Sequence, residues 1–323
     1  MNYKDNYENA LKWIKKNIID GNGIIVTSKE RIIYPEVTGY YIPTLLNWGE
    51  QELALAFAKY LCSIQKADGS WYDPTDSQPY VFDSAQVLKG LVAIRGILPE
   101  VDEHIIKGCD WILSNMQHDG RLTTPDRTAW GNDENFCSEL VHLYCLSPIR
   151  EAGKFFGRED YLESVDKILT YYKCKQIEKI KNFSLLSHFY AYVMEGLFDL
   201  GEVDLCCESM MRLEKYRNNK GGIPGLNDVP WVCSTGMFQL AIVWYKLGDL
   251  KRGNSLFEYA VSLQNESGGW YGSYPTSDFI EKFYRGRKKP FYFPDAEISW
   301  ANKYFLDALY YKQELDGGKN NNE

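Results

Sequence analysis

Two kinds of helical segment alternate along this chain. QELALAFAKYLCSIQ carries one apolar stripe on a polar helix, whereas FDSAQVLKGLVAI, after an intervening loop, is apolar nearly all round. A striped helix packs on one side and a helix apolar on every side is enclosed by neighbours, so the two kinds suit an outer and an inner layer. Reading the whole chain this way predicts outer helices near 5–19, 50–66, 100–117, 159–175, 203–217 and 250–265, and inner helices near 36–48, 82–96, 133–149, 185–200, 231–247 and 296–312. Pro43 sits inside the first inner segment, where its missing N–H and its ring oppose helix continuity.

A glycine signature punctuates the alternation. It reads GNGII around Gly23, QKADGSW around Gly69, QHDGRL around Gly120, KGGIPG around Gly222 and SGGWYG around Gly269, with gaps of 46, 51, 102 and 47 residues. The gap of 102 is a doubled interval, so a degenerate copy is expected near 173–182 and the repeat number is six. Twelve alternating helices close most simply as a ring, because an open stack leaves the apolar faces of its end repeats unburied. The expected fold is therefore an all-α (α/α)6 toroid of six helical hairpins, one domain over 1–313, followed by a polar, disordered tail at 314–323.

Composition narrows the function more than the fold. A net charge of -8 and a pI near 5.2 argue against nucleic acid, which needs clustered cations. The single basic cluster, Arg285, Arg287, Lys288 and Lys289, reads as a solvated loop, with an anionic ligand as the minority reading. The first residues form an amphipathic pattern without the apolar run of a signal peptide, and no stretch has the length of a membrane span. A cytoplasmic protein is expected, with cysteines as reduced core thiols. No CxxC or HxxxH pairing suggests a metal, and no cofactor is expected.

In such a ring all inner helices point one way, so the loops that enter them gather at one mouth, where function is to be sought. Inner helix one brings Glu36, Tyr40 and Tyr41, and inner helix two brings Asp83 in the position of an N-cap. AWGNDEN brings Trp130, Asp133 and Glu134, and the fourth inner helix brings His188. The fifth brings Trp231, Gln239 and a Cys233 with no activating partner in sequence, and the sixth brings Glu297, Trp300 and Lys303. Glycoside chemistry needs two carboxyl groups, one protonated and one ionised, with aromatic faces holding the sugar ring. Glu36, Asp83, Asp133, Glu134 and Glu297 are the candidate acids. Tyr40, Tyr41, Trp71, Trp130, Trp231, Trp270, Trp300 and Lys303 are the candidate substrate contacts. Uronate epimerisation or elimination would instead use a base such as His188 with Tyr40 or Tyr41 as acid, and binding without catalysis would use the same rings.

Two resemblances add to this. QKADGSW and QNESGGW resemble the QW motif of terpenoid cyclases and protein prenyltransferases, which are also α/α toroids. The chain has no DxDD or DDxxD acid motif for isoprenoid chemistry, and the spacing from Asp228 to Cys233 does not reproduce the prenyltransferase zinc pattern. Over nearly its whole length the chain is similar to six-hairpin glycosidase-type proteins of bacterial surface-polysaccharide genes, including the VpsJ-like polysaccharide-biosynthesis family. The segments that carry this are YPEVTGYYIPTLLNWGE, YVFDSAQVLKGL, SHFYAYVMEGLFDLG, WVCSTGMFQLAIVWYKLGD and DAEISWANKYFLDA. The resemblance implies a carbohydrate-active enzyme, a glycosidase or transglycosidase, acting on a bacterial surface polysaccharide or its precursor, with an oligosaccharide or activated sugar as substrate. An epimerase or lyase and a glycan-binding assembly protein stay open as alternatives, and the oligomeric state is not legible.

Overall fold

A computed structural model of the chain describes residues 3–125, 139–277 and 292–320. Trp130, Asp133, Glu134 and the basic cluster at 285–289 lie outside the described residues. The helices are α1 (Lys4–Lys16), α2 (Pro35–Asn47), α3 (Gln51–Ile64), α4 (Val81–Ile94), α5 (Asp102–Ser114), α6 (Leu146–Phe156), α7 (Glu159–Lys175), α8 (Ile177–Lys181), α9 (Ser187–Asp199), α10 (Val203–Leu213), α11 (Ser234–Lys246), α12 (Leu250–Val261) and α13 (Ser299–Asn320). Two short antiparallel pairs accompany them, β1 (Ile18–Ile19) with β2 (Gly23–Ile24) and β3 (Trp231–Cys233) with β4 (Ser273–Pro275).

The chain divides into two compact units. One, here the N-terminal unit, comprises Asn17–Val26 and Glu30–Glu178; the C-terminal unit comprises Met1–Lys16, Thr27–Lys29 and Lys179–Glu323. In the N-terminal unit α2 packs on α3, α4 on α5 and α6 on α7, with α2 and α4 side by side. In the C-terminal unit α9 packs on α10 and α11 on α12, α11 lies between α9 and α13, and α1 packs on α13. The enclosed helices α2, α4, α9 and α11 bury nearly every residue, while α1, α3, α5, α7, α10 and α12 bury one stripe. The final helix runs to Asn320, through residues expected as a tail.

The glycine signature is one turn used repeatedly. At Gly69, Gly120, Gly221 and Gly268 the glycine has a φ of 97°, 94°, 90° and 93°. In each case its N–H donates to the carbonyl of the residue three before it, and that residue's N–H donates to the carbonyl just after the glycine. Space demands glycine as well as φ. A Cβ at Gly69 would stand 2.3 Å from the Lys107 carbonyl oxygen of α5, and one at Gly268 would stand 2.2 Å from the Asn9 carbonyl oxygen of α1. The Gln and Trp of the motif complete the joint. Gln65 Nε2 donates to the carbonyls of Gly69 and His104, and Gln264 Nε2 to those of Gly268 and Asn6, so each Gln ties its turn to the next outer helix. The indole N–H of Trp71 donates to Leu61 O, and that of Trp270 to Ala260 O, each at 2.8 Å, pinning the turn to its own outer helix. At 173–182, where a degenerate copy was expected, the short helix α8 follows α7 in place of a glycine turn.

Two expectations need correcting. The described part of the third enclosed helix, expected over 133–149, is a 3-10 segment at Glu139–Cys145 running into α6. Pro148 explains the shift, because a proline cannot donate to the carbonyl one turn back and is tolerated in the first turn of an α-helix, which is where α6 places it. Pro43, by contrast, does not interrupt α2. The carbonyl it leaves without an intrahelical donor belongs to Gly39 and faces α4, since a Cβ at Gly90 would lie 2.2 Å from that oxygen.

Candidate active site

Glycines also bring the acids together. In the N-terminal unit a Cβ at Gly39 of α2 would fall 2.4 Å from Val87 Cα and 2.8 Å from Gln86 O of α4, and one at Gly90 would meet Gly39 O and Ile42. The contacts advance together along both helices, so α2 and α4 run parallel with backbones nearly touching. Three residues back from Gly39 is Glu36, and three back from Gln86 is Asp83. Residues three apart share a helix face, so the register sets the two carboxyl groups beside each other in the first turns of neighbouring helices.

Both are buried, Asp83 at 5% exposure and Glu36 at 7%. Burial pushes the Asp83 carboxyl well above the usual carboxylate range, and the charges of Glu36 and then Asp73 push it further. A hydrogen bond donated by Tyr34 Oη to Asp83 Oδ2, long at 3.5 Å, opposes this only weakly. Asp73 behaves oppositely. Partial burial raises it, but hydrogen bonds from Ser77 and Thr75 outweigh that and hold it below its ordinary value. One acid is thus kept protonated while a neighbour in the same unit is kept ionised, the division that acid and base roles require. Asp83 is not the N-cap residue as expected: α4 starts at Val81, whose N–H donates to Thr124 Oγ1 at 3.2 Å, and Asp83 lies in the first turn, where its own backbone N–H also donates to its carboxyl.

The other candidates fall elsewhere. Tyr40 and Tyr41 are buried in α2 at 1% and 0% exposure, and Trp71 and Trp270 are the fully buried pins of the glycine turns. Trp231 is fully buried in β3. Glu297, in the C-terminal unit, uses both carboxylate oxygens as a clamp. Oε2 accepts from the Trp13 indole at 2.7 Å, and Oε1 accepts from Asn265 Nδ2 at 2.8 Å and from the Ser267 hydroxyl. Those bonds tie α1 to the turn at Gly268.

His188, Trp300 and Lys303 come together in the C-terminal unit. His188 Nδ1–H donates to Gln239 Oε1. Burial pushes the imidazole down to about 3, partly offset by the Gln239 bond, so it is neutral at ordinary pH. Its ring lies 4.5 Å from Tyr192 and 5.9 Å from Tyr292. Lys303 Nζ pairs with Asp307 at 2.7 Å and lies 3.7 Å from the centroid of the Tyr304 ring. Cys233 is a free, buried thiol pushed up to about 12 by burial, so it is not a thiolate. No group of three or more His, Cys, Asp or Glu suited to a metal occurs among the described residues, and no helix among them is long and apolar enough to cross a membrane. Sequence reasoning missed Asp73, Tyr34, Tyr292 and Phe293. Asp73 carried a signal, since DPTDS places hydroxyls two and four residues after an Asp.

No protein-family model and no curated protein matches the sequence. Solved structures do. The chain is similar to the unsaturated glucuronyl hydrolase of Bacillus sp. GL1, with a TM-score of 0.70 at 11% identity over 98% of this chain and 96% of that one. It is similar to an α-amylase from Clostridium perfringens, with a TM-score of 0.68 at 14% identity over 95% and 97%. A type II terpene cyclase from Scytonema matches with a TM-score of 0.63 at 11% identity over 97% of each chain. The fold is an all-α (α/α)6 toroid. At such identities the likeness shows the fold alone, and chemistry has to be argued from this chain's own side chains.

Proposed function

We propose that this protein is a carbohydrate-active enzyme of glycoside hydrolase type, with Asp83 as general acid and Glu36 as its partner. The observation that carries this is the buried Asp83, held protonated beside Glu36 at the starts of two parallel enclosed helices. In the reaction Asp83 gives its proton to the glycosidic oxygen as the bond to the anomeric carbon breaks. Water attacks that carbon and its proton passes to Glu36, acting as base. Proteins named as a glucuronyl hydrolase and an α-amylase share the fold, which supports the reading.

The substrate we assign is a bacterial surface polysaccharide or its precursor, on the strength of the segments similar to VpsJ-like proteins. The free cysteines suit a cytoplasmic setting. Uronate epimerisation or elimination through His188 fits less well, because an imidazole pushed down to about 3 is a weak base. An isoprenoid cyclase would need an acid motif that the sequence lacks.

The test is release of reducing ends from a panel of capsular and exopolysaccharides by the wild type, Asp83→Asn and Glu36→Gln. Each substitution should lower kcat by about a hundredfold or more. Wild-type turnover by Asp83→Asn would sink the assignment.

A further inference from the structure

The acid pair leaves a second group of side chains in the C-terminal unit without a role. Phe293, just before α13, is 37% exposed, and its ring stands 5.5 Å from Trp300 and 4.9 Å from Tyr292, edge-on to each. Tyr292 continues inward to His188 at 5.9 Å. The series ends on the polar pair His188 and Gln239, of which Gln239 is fully buried. Because Nδ1 of His188 donates to Gln239 Oε1, Nε2 of the neutral ring keeps its lone pair as an acceptor. The Gln239 amide nitrogen, with two N–H donors, finds no acceptor among the described residues.

We infer that His188, Gln239, Tyr292, Phe293 and Trp300 form a binding subsite for a sugar ring. A buried amide N–H without an acceptor is costly unless something else accepts from it. A sugar hydroxyl both accepts and donates, so adjacent hydroxyls match one imidazole acceptor beside two amide donors. The C–H face of the same ring suits the aromatic series.

Backbone geometry supports a purpose for the outermost ring. Phe293 has a φ of 45°, a left-handed conformation that a bulky residue rarely adopts. It is held there by Gly272, whose N–H donates to Phe293 O at 3.0 Å. A Cβ at Gly272 would lie 2.4 Å from Tyr292 O, so that approach requires glycine. Among the described residues the nearby cation is Lys303, paired with Asp307 at 2.7 Å; His188 is neutral, pushed down by burial and further by the Lys303 charge.

The inference rests on the reading that the chain handles carbohydrate, but it does not depend on Asp83. It is tested on the full chain by tryptophan fluorescence titration and saturation-transfer NMR. The probes are the methyl glycosides of glucose, galactose and mannose, maltotriose, glucuronate, and farnesol as an apolar comparator. At least one of these sugars should bind saturably, and farnesol at least tenfold more weakly. Asp83→Asn should leave that binding intact, while Gln239→Leu and Phe293→Gly should each weaken it at least tenfold. Phe293→Gly keeps the test sound if Gln239→Leu does not fold, because glycine accepts the native φ. Absence of binding by every sugar overturns the inference, as does equal or tighter binding of farnesol, or unchanged binding by Phe293→Gly. Polysaccharide hydrolysis lost in Asp83→Asn without sugar binding would remove the subsite alone. Sugar binding without any hydrolysis would remove the acid assignment alone.

Discussion

The two units are built by the same joint and use their buried polarity in opposite ways. In both, a left-handed glycine lets a turn press against the carbonyl of the next outer helix, a Gln bridges that contact, and an indole N–H reaches back to its own helix. Onto this shared frame the N-terminal unit places a protonated carboxyl beside a second acid, while the C-terminal unit places a neutral imidazole, an amide and a series of rings. A frame held together at its turns leaves the starts of the enclosed helices free to carry different chemistry, which fits a fold shared by proteins named as hydrolases and as a cyclase.

If the joint is shared, breaking it should cost the same in either unit, and this is the largest effect expected. Gly69→Ala and Gly268→Ala each combine left-handed strain of about 1 kcal/mol with a collision against backbone, for a total of about 3 to 5 kcal/mol. Gly49 and Gly248 supply the control. Their φ values are 76° and 80°, but a Cβ at either meets nothing within 4 Å, so alanine there should cost about 1 kcal/mol. Denaturant midpoints of the four variants separate strain from collision. A Gly268→Ala as mild as Gly248→Ala would mean the joint is not equally needed in both units.

The contrast in charge predicts a smaller effect of opposite sign. Asp83 in the folded protein titrates above its unfolded value, so from about pH 4 upward the native state keeps a proton that the unfolded chain releases. Stability from this group is therefore full below about pH 4 and falls as pH rises towards the folded value. Asp83→Asn should remove that loss and raise stability at neutral pH, with less gain at pH 5 than at pH 8, while lowering kcat by about a hundredfold or more. Thermal midpoints at the two pH values check it. An unchanged pH slope in the variant would show that Asp83 is not the group kept protonated.

Much of the frame was legible in the sequence because it depends on local requirements. The glycine turns need left-handed φ, and the alternation of striped and all-apolar helices reports enclosure directly. Pro148 was legible too, and reading it as a first-turn residue would have placed α6 correctly. The site was less legible because it depends on register between distant segments. That Glu36 lies beside Asp83 follows from Gly39 and Gly90, whose role is visible only once α2 and α4 are seen to touch. Trp71 and Trp270 read as sugar-stacking rings, since nothing local shows that each indole donates to a carbonyl ten residues back. Glu297 read as a free acid for the same reason, because its three donors come from distant residues. The left-handed φ of Phe293 has no sequence signal at all.

Phe293 also gives the finest test of the contrast, because its strain and its contacts pull in opposite directions. Glycine at this position relieves about 1 to 2 kcal/mol of backbone strain. It also removes edge-on contacts with Tyr292 and Trp300 worth about 0.5 to 1.5 kcal/mol each, from a ring that is partly exposed. The two nearly cancel, so Phe293→Gly should move the thermal midpoint by no more than about 2 °C. A ring held at a strained φ for no net stability is what a ligand contact looks like, and a structural ring behaves differently. If the ring instead belongs to the core, Phe293→Gly should lower the midpoint as far as a buried Phe→Ala change, which costs about 3 to 5 kcal/mol. That outcome would assign the aromatic series of the C-terminal unit to packing and leave the acid pair as the protein's one candidate site.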